Sequence, residues 1–163
     1  MRQFDDAGES MDDCRIGSPQ EGRAFWMGVL AHASLKEMRA ALALTQIEWP
    51  TVEVVKPAEV GTLMLEGRAG GGGRRFNAGE ATMTRCIVRV GETLGFSYAL
   101  GRDKDKAVMA ATLDCLLQDA DQQSYLMKAI ISPLAMIQSR KREAESRRAA
   151  ATKVEFFTMV RGD

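Results

Sequence analysis

The feature that most constrains the fold is an alternation of side chains along residues 84–100. In residues 84–90, Cys86, Val88 and Val90 alternate with Arg85, Ile87 and Arg89, and in residues 94–100 large and small residues alternate. A period of two is typical of β-strands, and Gly91-Glu92 between the two runs supplies a turn. The sequence therefore predicts an antiparallel hairpin. The large residues that share one face of its second strand are Leu94, Phe96, Tyr98 and Leu100.

Further strands are predicted on both sides of this hairpin. Residues 52–55 alternate and stop at Lys56-Pro57, and residues 62–66 form a second short apolar run. Residues 154–160 resemble a strand at the end of the chain, where Phe156 and Phe157 would point to opposite faces. One of these rings is expected in the core and the other against a partner subunit, unless the fold buries both.

Helical patterns surround the strands. Helical spacing begins near Arg23, and the Ser34-to-Glu37 capping box predicts a second helix from Leu35. Asp103 can cap a helix over about residues 104–118. A further helix is predicted from residue 121 or 122 to 131, and Ser132-Pro133 should start a long helix to about residue 150.

These patterns predict an α+β fold with a single domain over residues 21–163. Its antiparallel sheet would be covered on one face, with N-terminal helices, a central-to-C-terminal helical layer and a closing C-terminal strand. Residues 1–20 are acidic and are expected to be a disordered tail. A chain of 163 residues with 45% hydrophobic content can form a sizeable core.

Charge and cysteine content limit the classes of function. The 22 basic and 22 acidic residues balance, which argues against binding to nucleic acid. No apolar run is long enough to span a membrane, and the acidic N-terminus is unlike a secretory signal. Cys14, Cys86 and Cys115 match no metal or redox spacing, so the latter two are interpreted as buried apolar residues in a cytoplasmic protein.

Residues 68–85 carry the strongest candidate binding motif. Four glycines, residues 70–73, precede Arg74, Arg75 and Phe76, and Arg85 follows nearby. Backbone amides beside guanidinium groups suit an anion or the carboxylates of a partner. The alternative is a mobile surface loop between two strands. A nucleotide P-loop is disfavoured because arginines replace the Lys-Ser/Thr pair and a strand follows, whereas a looser triphosphate or phosphonate contact from Arg75 or Arg85 remains an alternative.

Other potential chemistry has ordinary structural explanations. The single histidine, His32, lies in an apolar helix and gives no metal-binding or triad spacing. Residues 95–99 resemble a nucleophile elbow but end in alanine within a strand pattern. Asp114 lies on a largely apolar helix and is predicted to form a structural ion pair with an arginine such as Arg85 or Arg102.

The glycine-rich segment, Gly101-Arg102-Asp103, residues 114–116 and residues 154–163 together resemble the PhnG family. The similarity covers about residues 22–163. Two positions depart from a PhnG-family sequence that has a threonine in place of Gly72 and an acidic residue in place of Arg74. The resemblance implies a small subunit of the bacterial carbon–phosphorus lyase complex, which breaks down phosphonates.

The resemblance also implies partners and a reaction. PhnG-like subunits assemble with PhnI-like, PhnH-like and PhnJ-like subunits in the cytoplasm. The complex uses ATP and Mg as substrate and transfers the ribose triphosphate to an alkylphosphonate, releasing adenine. This chain itself would hold no cofactor, no metal and no catalytic residue. The positions expected to bind a partner or an anion are Gly70, Gly71, Gly73, Arg75, Phe76, Glu80, Arg85, Arg102, Phe157 and Arg161.

A stand-alone nucleotide- or phosphonate-binding enzyme that uses the Gly/Arg-rich loop is the alternative function. ATP turnover by the purified chain would favour it. A nucleic-acid-binding module fits less well, because the net charge is zero and aromatic residues make up only 6% of the chain.

Overall fold

The computed structural model describes residues 19–70 and 72–151. These residues form an α+β fold with one antiparallel sheet, as predicted from the sequence. The predicted closing strand at residues 154–160 lies outside the described residues. The elements in chain order are α1 (Pro19–His32), α2 (Leu35–Ala43), β1 (Glu53–Arg68), β2 (Arg75–Val90), β3 (Thr93–Leu100), α3 (Lys104–Leu117), α4 (Ala120–Leu126), a π-helical turn (Met127–Ile131) and α5 (Ser132–Ala151).

The sheet has the strand order β1-β2-β3, and its strands are longer than predicted. The two short strands expected at residues 52–55 and 62–66 are one strand, β1. Its pairing with β2 changes register on both sides of Lys56, and the strand continues through Pro57. A proline is tolerated there because β1 is an edge strand. Strand β2 begins at Arg75, so most of the segment interpreted as a loop is β-structure.

One face of the sheet is buried against α3 and carries mainly small side chains. Thr84 and Val88 are fully buried, and their partners on β3 are Ala99 and Gly95. A side chain at Gly95 would overlap the Ala111 carbonyl oxygen of α3, so only glycine allows this close approach. The large residues of β3 therefore point to the opposite face, where Leu94, Tyr98 and Leu100 are exposed and Arg23 of α1 lies over the Phe96 ring.

The helical layer has its own apolar cluster beside the sheet. Trp26 and Leu30 of α1 pack with Met38 of α2, and with Leu113 and Leu117 of α3. The capping box of α2 is present as predicted, since the Ser34 hydroxyl accepts from the Glu37 amide and the Glu37 carboxylate accepts from the Ser34 amide. Asp103 also caps α3 as predicted, accepting from the Lys106 amide.

A long helix, α5, starts at Ser132 as predicted, but Ser132 does not cap it and the chain has no break before it. The chain continues from α4 into α5 through the π-helical turn, and Ser132 keeps helical dihedral angles. Pro133 has no amide hydrogen, and the wider turn before it accommodates the ring without ending the helix. The Ser132 hydroxyl donates to the Met127 carbonyl within this turn. Among the helices of residues 19–70 and 72–151, none combines the length and the apolar character needed to cross a membrane.

Candidate functional site

Strands β1 and β2 project beyond the rest of the sheet as a two-stranded ribbon. Strand β3 ends at Leu100, which pairs with Met83, so no third strand of the described residues lies beside residues 61–82. We call this ribbon and its turn the arm. Two-stranded ribbons are only marginally stable alone. The arm nevertheless exposes large apolar side chains, namely Leu63 (48%), Met64 (66%), Leu65 (45%) and Phe76 (51%).

The glycine-rich run forms the turn at the tip of the arm. The Ala69 amide donates to the Arg74 carbonyl at 3.2 Å, and the Gly73 amide donates to the Ala69 carbonyl at 2.8 Å. Gly70 has a φ of 59°, and a side chain at Gly73 would overlap the Ala69 carbonyl. Glycine is therefore required at two positions for reasons of backbone geometry. Gly71 lies outside the described residues.

Three arginines surround this turn. Arg75 pairs with Glu66, with 3.0 Å between Nε and Oε1, while Arg68 is the strand partner of Arg75 and Arg74 lies beside it. Arg68 and Arg74 are exposed, and no carboxylate of the described residues lies within ion-pair distance of either. An open hollow of about 420 Å³ lies beside the pair and is lined by Met64, Leu65, Glu66, Arg75, Phe76 and Asn77.

The face of the three-stranded region opposite α3 is the second candidate surface, and we call it the open face. Arg85 lies at its centre beside Tyr98 on β3 and Glu59 on β1. Arg85 Nη2 donates to Glu59 Oε2 at 3.2 Å, and this hydrogen bond, with the charge of Lys56, lowers the pKa of Glu59. Tyr98 is 55% exposed, and the flanking side chains are Leu94 and Leu100.

Charges on the open face are paired with each other. Besides Arg85 and Glu59, Arg89 Nη1 lies 3.4 Å from Glu53 Oε2. Exposed ion pairs of this kind contribute little to stability. A surface of internally paired charges with exposed aromatic and aliphatic side chains is more typical of a protein interface than of an anion site.

The structure divides the predicted binding residues among different places. Gly70, Gly73, Arg75 and Phe76 lie at the tip of the arm, whereas Arg85 lies on the open face. Ten residues of strand separate Arg75 from Arg85, which corresponds to about 30 Å. One small anion therefore cannot contact both guanidinium groups.

The remaining predicted residues are also separated. Glu80 is exposed midway along the arm opposite Met64, and Arg102 is exposed in the turn before α3. Phe157 and Arg161 lie outside the described residues. No alternation or charge pattern in the sequence indicated that the ribbon would extend beyond β3.

The predicted ion pair of Asp114 exists, but its partner is Arg23 rather than Arg85 or Arg102. Asp114 is fully buried, and Arg23 donates to it at 3.2 Å through Nε and 2.7 Å through Nη2. Trp26 Nε1 and the Phe96 amide also donate to this carboxylate, each at 2.9 Å. The carboxylate links α1, β3 and α3. These hydrogen bonds compensate for its burial, so the role of Asp114 is structural. Spacing along the chain could not reveal a partner 91 residues away.

Within residues 19–70 and 72–151, no three His, Cys, Asp or Glu side chains converge on a position that could hold a metal ion. Cys86 and Cys115 are buried as predicted, and burial raises the pKa of both thiols. His32 lies on the surface of α1, where its Nδ1 is 2.9 Å from the Gly28 carbonyl oxygen.

These features define a small α+β protein that presents strand surfaces to its surroundings. The sequence model of the family described as "Phosphonate metabolism protein PhnG" matches residues 21–162, and the chain belongs to this PhnG family. The chain is 40% identical over 165 aligned positions to the "Alpha-D-ribose 1-methylphosphonate 5-triphosphate synthase subunit PhnG" of Rhizobium meliloti strain 1021. That alignment covers 97% of this chain and 98% of the relative.

Proposed function

We propose that this chain is a non-catalytic subunit of the carbon–phosphorus lyase system in phosphonate catabolism. Its family is one of phosphonate metabolism, and its relative is named as a subunit of a ribose methylphosphonate triphosphate synthase. The chain acts within a hetero-oligomer in the cytoplasm. Its direct partner is a PhnI-like subunit, and PhnH-like and PhnJ-like subunits complete the complex.

In this proposal the assembled complex, rather than this chain, binds ATP with Mg and the alkylphosphonate. The complex transfers the ribose triphosphate to the phosphonate and releases adenine. The chain supports that reaction by holding its partner in place. The separation of Arg75 from Arg85 supports this division, because the arginines are spread over two surfaces rather than gathered around one substrate.

The open face is the observation that carries the proposal. Tyr98 and Leu100 are 55% and 40% exposed on the sheet face opposite α3, which the helices of the described residues leave largely open. Aromatic residues with arginine are enriched at the centres of protein interfaces, and Arg85 lies between Tyr98 and Glu59. A partner subunit would bury this surface.

The proposal is tested with the chain co-expressed with its PhnI-like subunit. We expect Tyr98→Ser to weaken the complex about tenfold or more in Kd, because an exposed aromatic anchor is lost. Tyr125→Ser is the matched control, since Tyr125 is 48% exposed on α4, away from the sheet. Both variants should keep the melting temperature of the free chain. Equal binding by the two variants would contradict docking through the open face.

A second variant tests the charged centre of the same face. Arg85→Ala is expected to weaken assembly or lower the activity of the assembled complex while the chain stays folded, because the Arg85 pair with Glu59 is exposed. Arg39→Ala on α2 is the control, since Arg39 is also exposed. Unchanged assembly and unchanged activity of the Arg85 variant would count against the proposal. ATP turnover by the purified chain alone would favour a stand-alone enzyme instead.

A further inference from the structure

We propose that the arm inserts into a groove of the partner subunit, with walls that contact both faces of the ribbon and carboxylates around the arginine tip. The inference rests on the proposed function and goes beyond it, because it concerns residues 61–82 and not the open face. It specifies how the partner surface is shaped and which charge it carries.

The first step is that each face of the arm exposes an apolar side chain, although Glu80 lies beside Met64 on one of them. Strand partners point to the same side of a sheet, so Met64, which pairs with Glu80, shares the face of Thr84, which is buried on the helix side. Leu63 pairs with Ala81 and lies on the opposite face. Met64 is 66% exposed and Leu63 is 48% exposed. A partner that covered one face alone would leave the other in water.

The second step concerns the edge of β1. Strand β1 is the outer strand, and its regular pairing with β2 runs from Glu59 to Leu65. No strand of the described residues pairs with this part of the edge, so its outward-facing backbone amides and carbonyls can bind another strand. The proline and the register shifts that protect an edge are concentrated earlier, between Val54 and Glu59. A groove that encloses the arm can therefore add backbone hydrogen bonds along this edge.

The third step concerns the tip. Its charged side chains are Arg68, Arg74 and Arg75 against one carboxylate, Glu66. Guanidinium groups are complemented by carboxylates in a bidentate geometry. The Ala69 and Gly73 amides already donate within the turn, so they are not free to surround a phosphate. Because apolar side chains lie directly behind the tip, a carboxylate-lined end of a protein groove fits better than a free anion.

The first experiment measures binding of the PhnI-like subunit to single-face variants of the full chain. We expect Met64→Ser and Leu63→Ser each to raise Kd about tenfold, because each removes an apolar contact from a different face. The control is Met136→Ser, since Met136 is 56% exposed on α5, and its Kd should stay within about twofold of the wild type. If only one of these two variants bound the partner more weakly, the insertion of the arm into a groove would be wrong.

The second experiment tests the charge of the tip. The double variant Arg68→Ala/Arg74→Ala should bind about tenfold more weakly and lose much of the salt dependence of binding. Arg147→Ala/Arg148→Ala on the exposed end of α5 is the control with the same change in net charge. Unchanged affinity and salt dependence of the tip variant would overturn the acidic groove.

Two further measurements distinguish the partner subunit from an anion or a second copy of this chain bound at the arm. If the tip variant binds the partner normally while the complex loses affinity for ATP, the tip is an anion site and the inference is wrong. If the wild-type chain alone forms a dimer that Leu63→Ser dissociates, a second copy covers the arm and the inference is wrong. If the wild-type chain forms no complex with the PhnI-like subunit, both the proposed function and this inference fail. Complex formation with arm variants that bind normally removes this inference alone.

Discussion

At the scale of single residues, Asp114 has the most connected side chain in the fold. Its buried carboxylate accepts from Arg23, from the Trp26 indole and from the backbone amide of Phe96. Arg23 in turn lies over the Phe96 ring, with 5.4 Å from Cζ to the ring centroid. Burying a carboxylate costs free energy unless every acceptor position is used, and here donors from three directions satisfy it.

Replacing Asp114 with asparagine should lower the free energy of unfolding by about 3 kcal/mol or more, because Arg23 loses its charge partner and one acceptor oxygen becomes a donor. Asp105→Asn is the matched control on the same helix, since Asp105 is exposed, and it should change stability by less than about 0.5 kcal/mol. Urea denaturation measures both. Equal stabilities of the two variants would show that the buried network contributes little.

Glu37 gives the fold a defined pH dependence. The hydrogen bond from Lys141, followed by the Ser34 amide, lowers the pKa of Glu37 from 4.5 to about 2. A carboxyl group with a depressed pKa stabilises the fold above its unfolded pKa, and the contribution is lost as pH falls from 4.5 towards 2. Lys141 is exposed, so the contribution should be below about 1 kcal/mol.

We expect Glu37→Gln to be less stable than the wild type at neutral pH and equally stable near pH 2. Glutamine keeps the capping box but not the charge, so the difference isolates the ion pair with Lys141. Denaturation curves measured across this pH range give the difference. Glu48→Gln, at an exposed position, is the control. A difference between Glu37→Gln and the wild type that stays constant with pH would contradict the assignment.

At the scale of elements, the close packing of α3 on the sheet determines which face of β3 is buried. A Cβ at Gly95 would lie 2.6 Å from Cys115 Sγ as well as overlapping the Ala111 carbonyl. Gly95→Ala should therefore destabilise the fold by about 2 kcal/mol, because the helix must move away. Gly61→Ala is the control, since nothing lies within 4 Å of its added carbon. Thermal unfolding that ranks the two variants equally would contradict this account.

Sequence patterns predicted the positions of the helices and strands better than the packing between them. Residues 84–100 correctly indicated the hairpin, and the Ser34 and Asp103 caps correctly placed two helix starts, because these signals are local. The alternation in β3 did not reveal that its small residues face the helix, since that depends on how closely α3 approaches. The π-helical turn was also missed, because Ser132-Pro133 is equally compatible with a new helix start.

The candidate site was only partly predictable for a related reason. The glycines and arginines of residues 70–75 were identified by composition, but their position at the end of a ribbon was not. The candidate binding motif at residues 68–85 includes both Arg75 and Arg85. The extended strand β2 separates them by about 30 Å.

At the scale of the whole molecule, the chain consists of a packed body and a projecting arm. The body contains both apolar clusters, whereas residues 61–66 and 75–80 are exposed throughout. Regions with few buried contacts open locally at much lower free energy than the core. In the free chain, we expect amides of the arm to exchange hydrogen at least tenfold faster than those of residues 86–90. Hydrogen exchange with mass spectrometry measures this, and uniform protection along β2 would contradict it.

The reactivity of the two buried cysteines can measure opening of the body separately from motion of the arm. Cys86 on β2 and Cys115 on α3 are 1% and 3% exposed at the contact between the sheet and α3. Their thiols are both shielded and hard to ionise, so a thiol reagent reaches them only when α3 leaves the sheet. With Cys14 replaced by serine, the labelling rate measures how fast the body opens and does not depend on motion of the arm. Labelling rates of the free and the partner-bound chain would then show whether binding of a partner also slows the separation of α3 from the sheet.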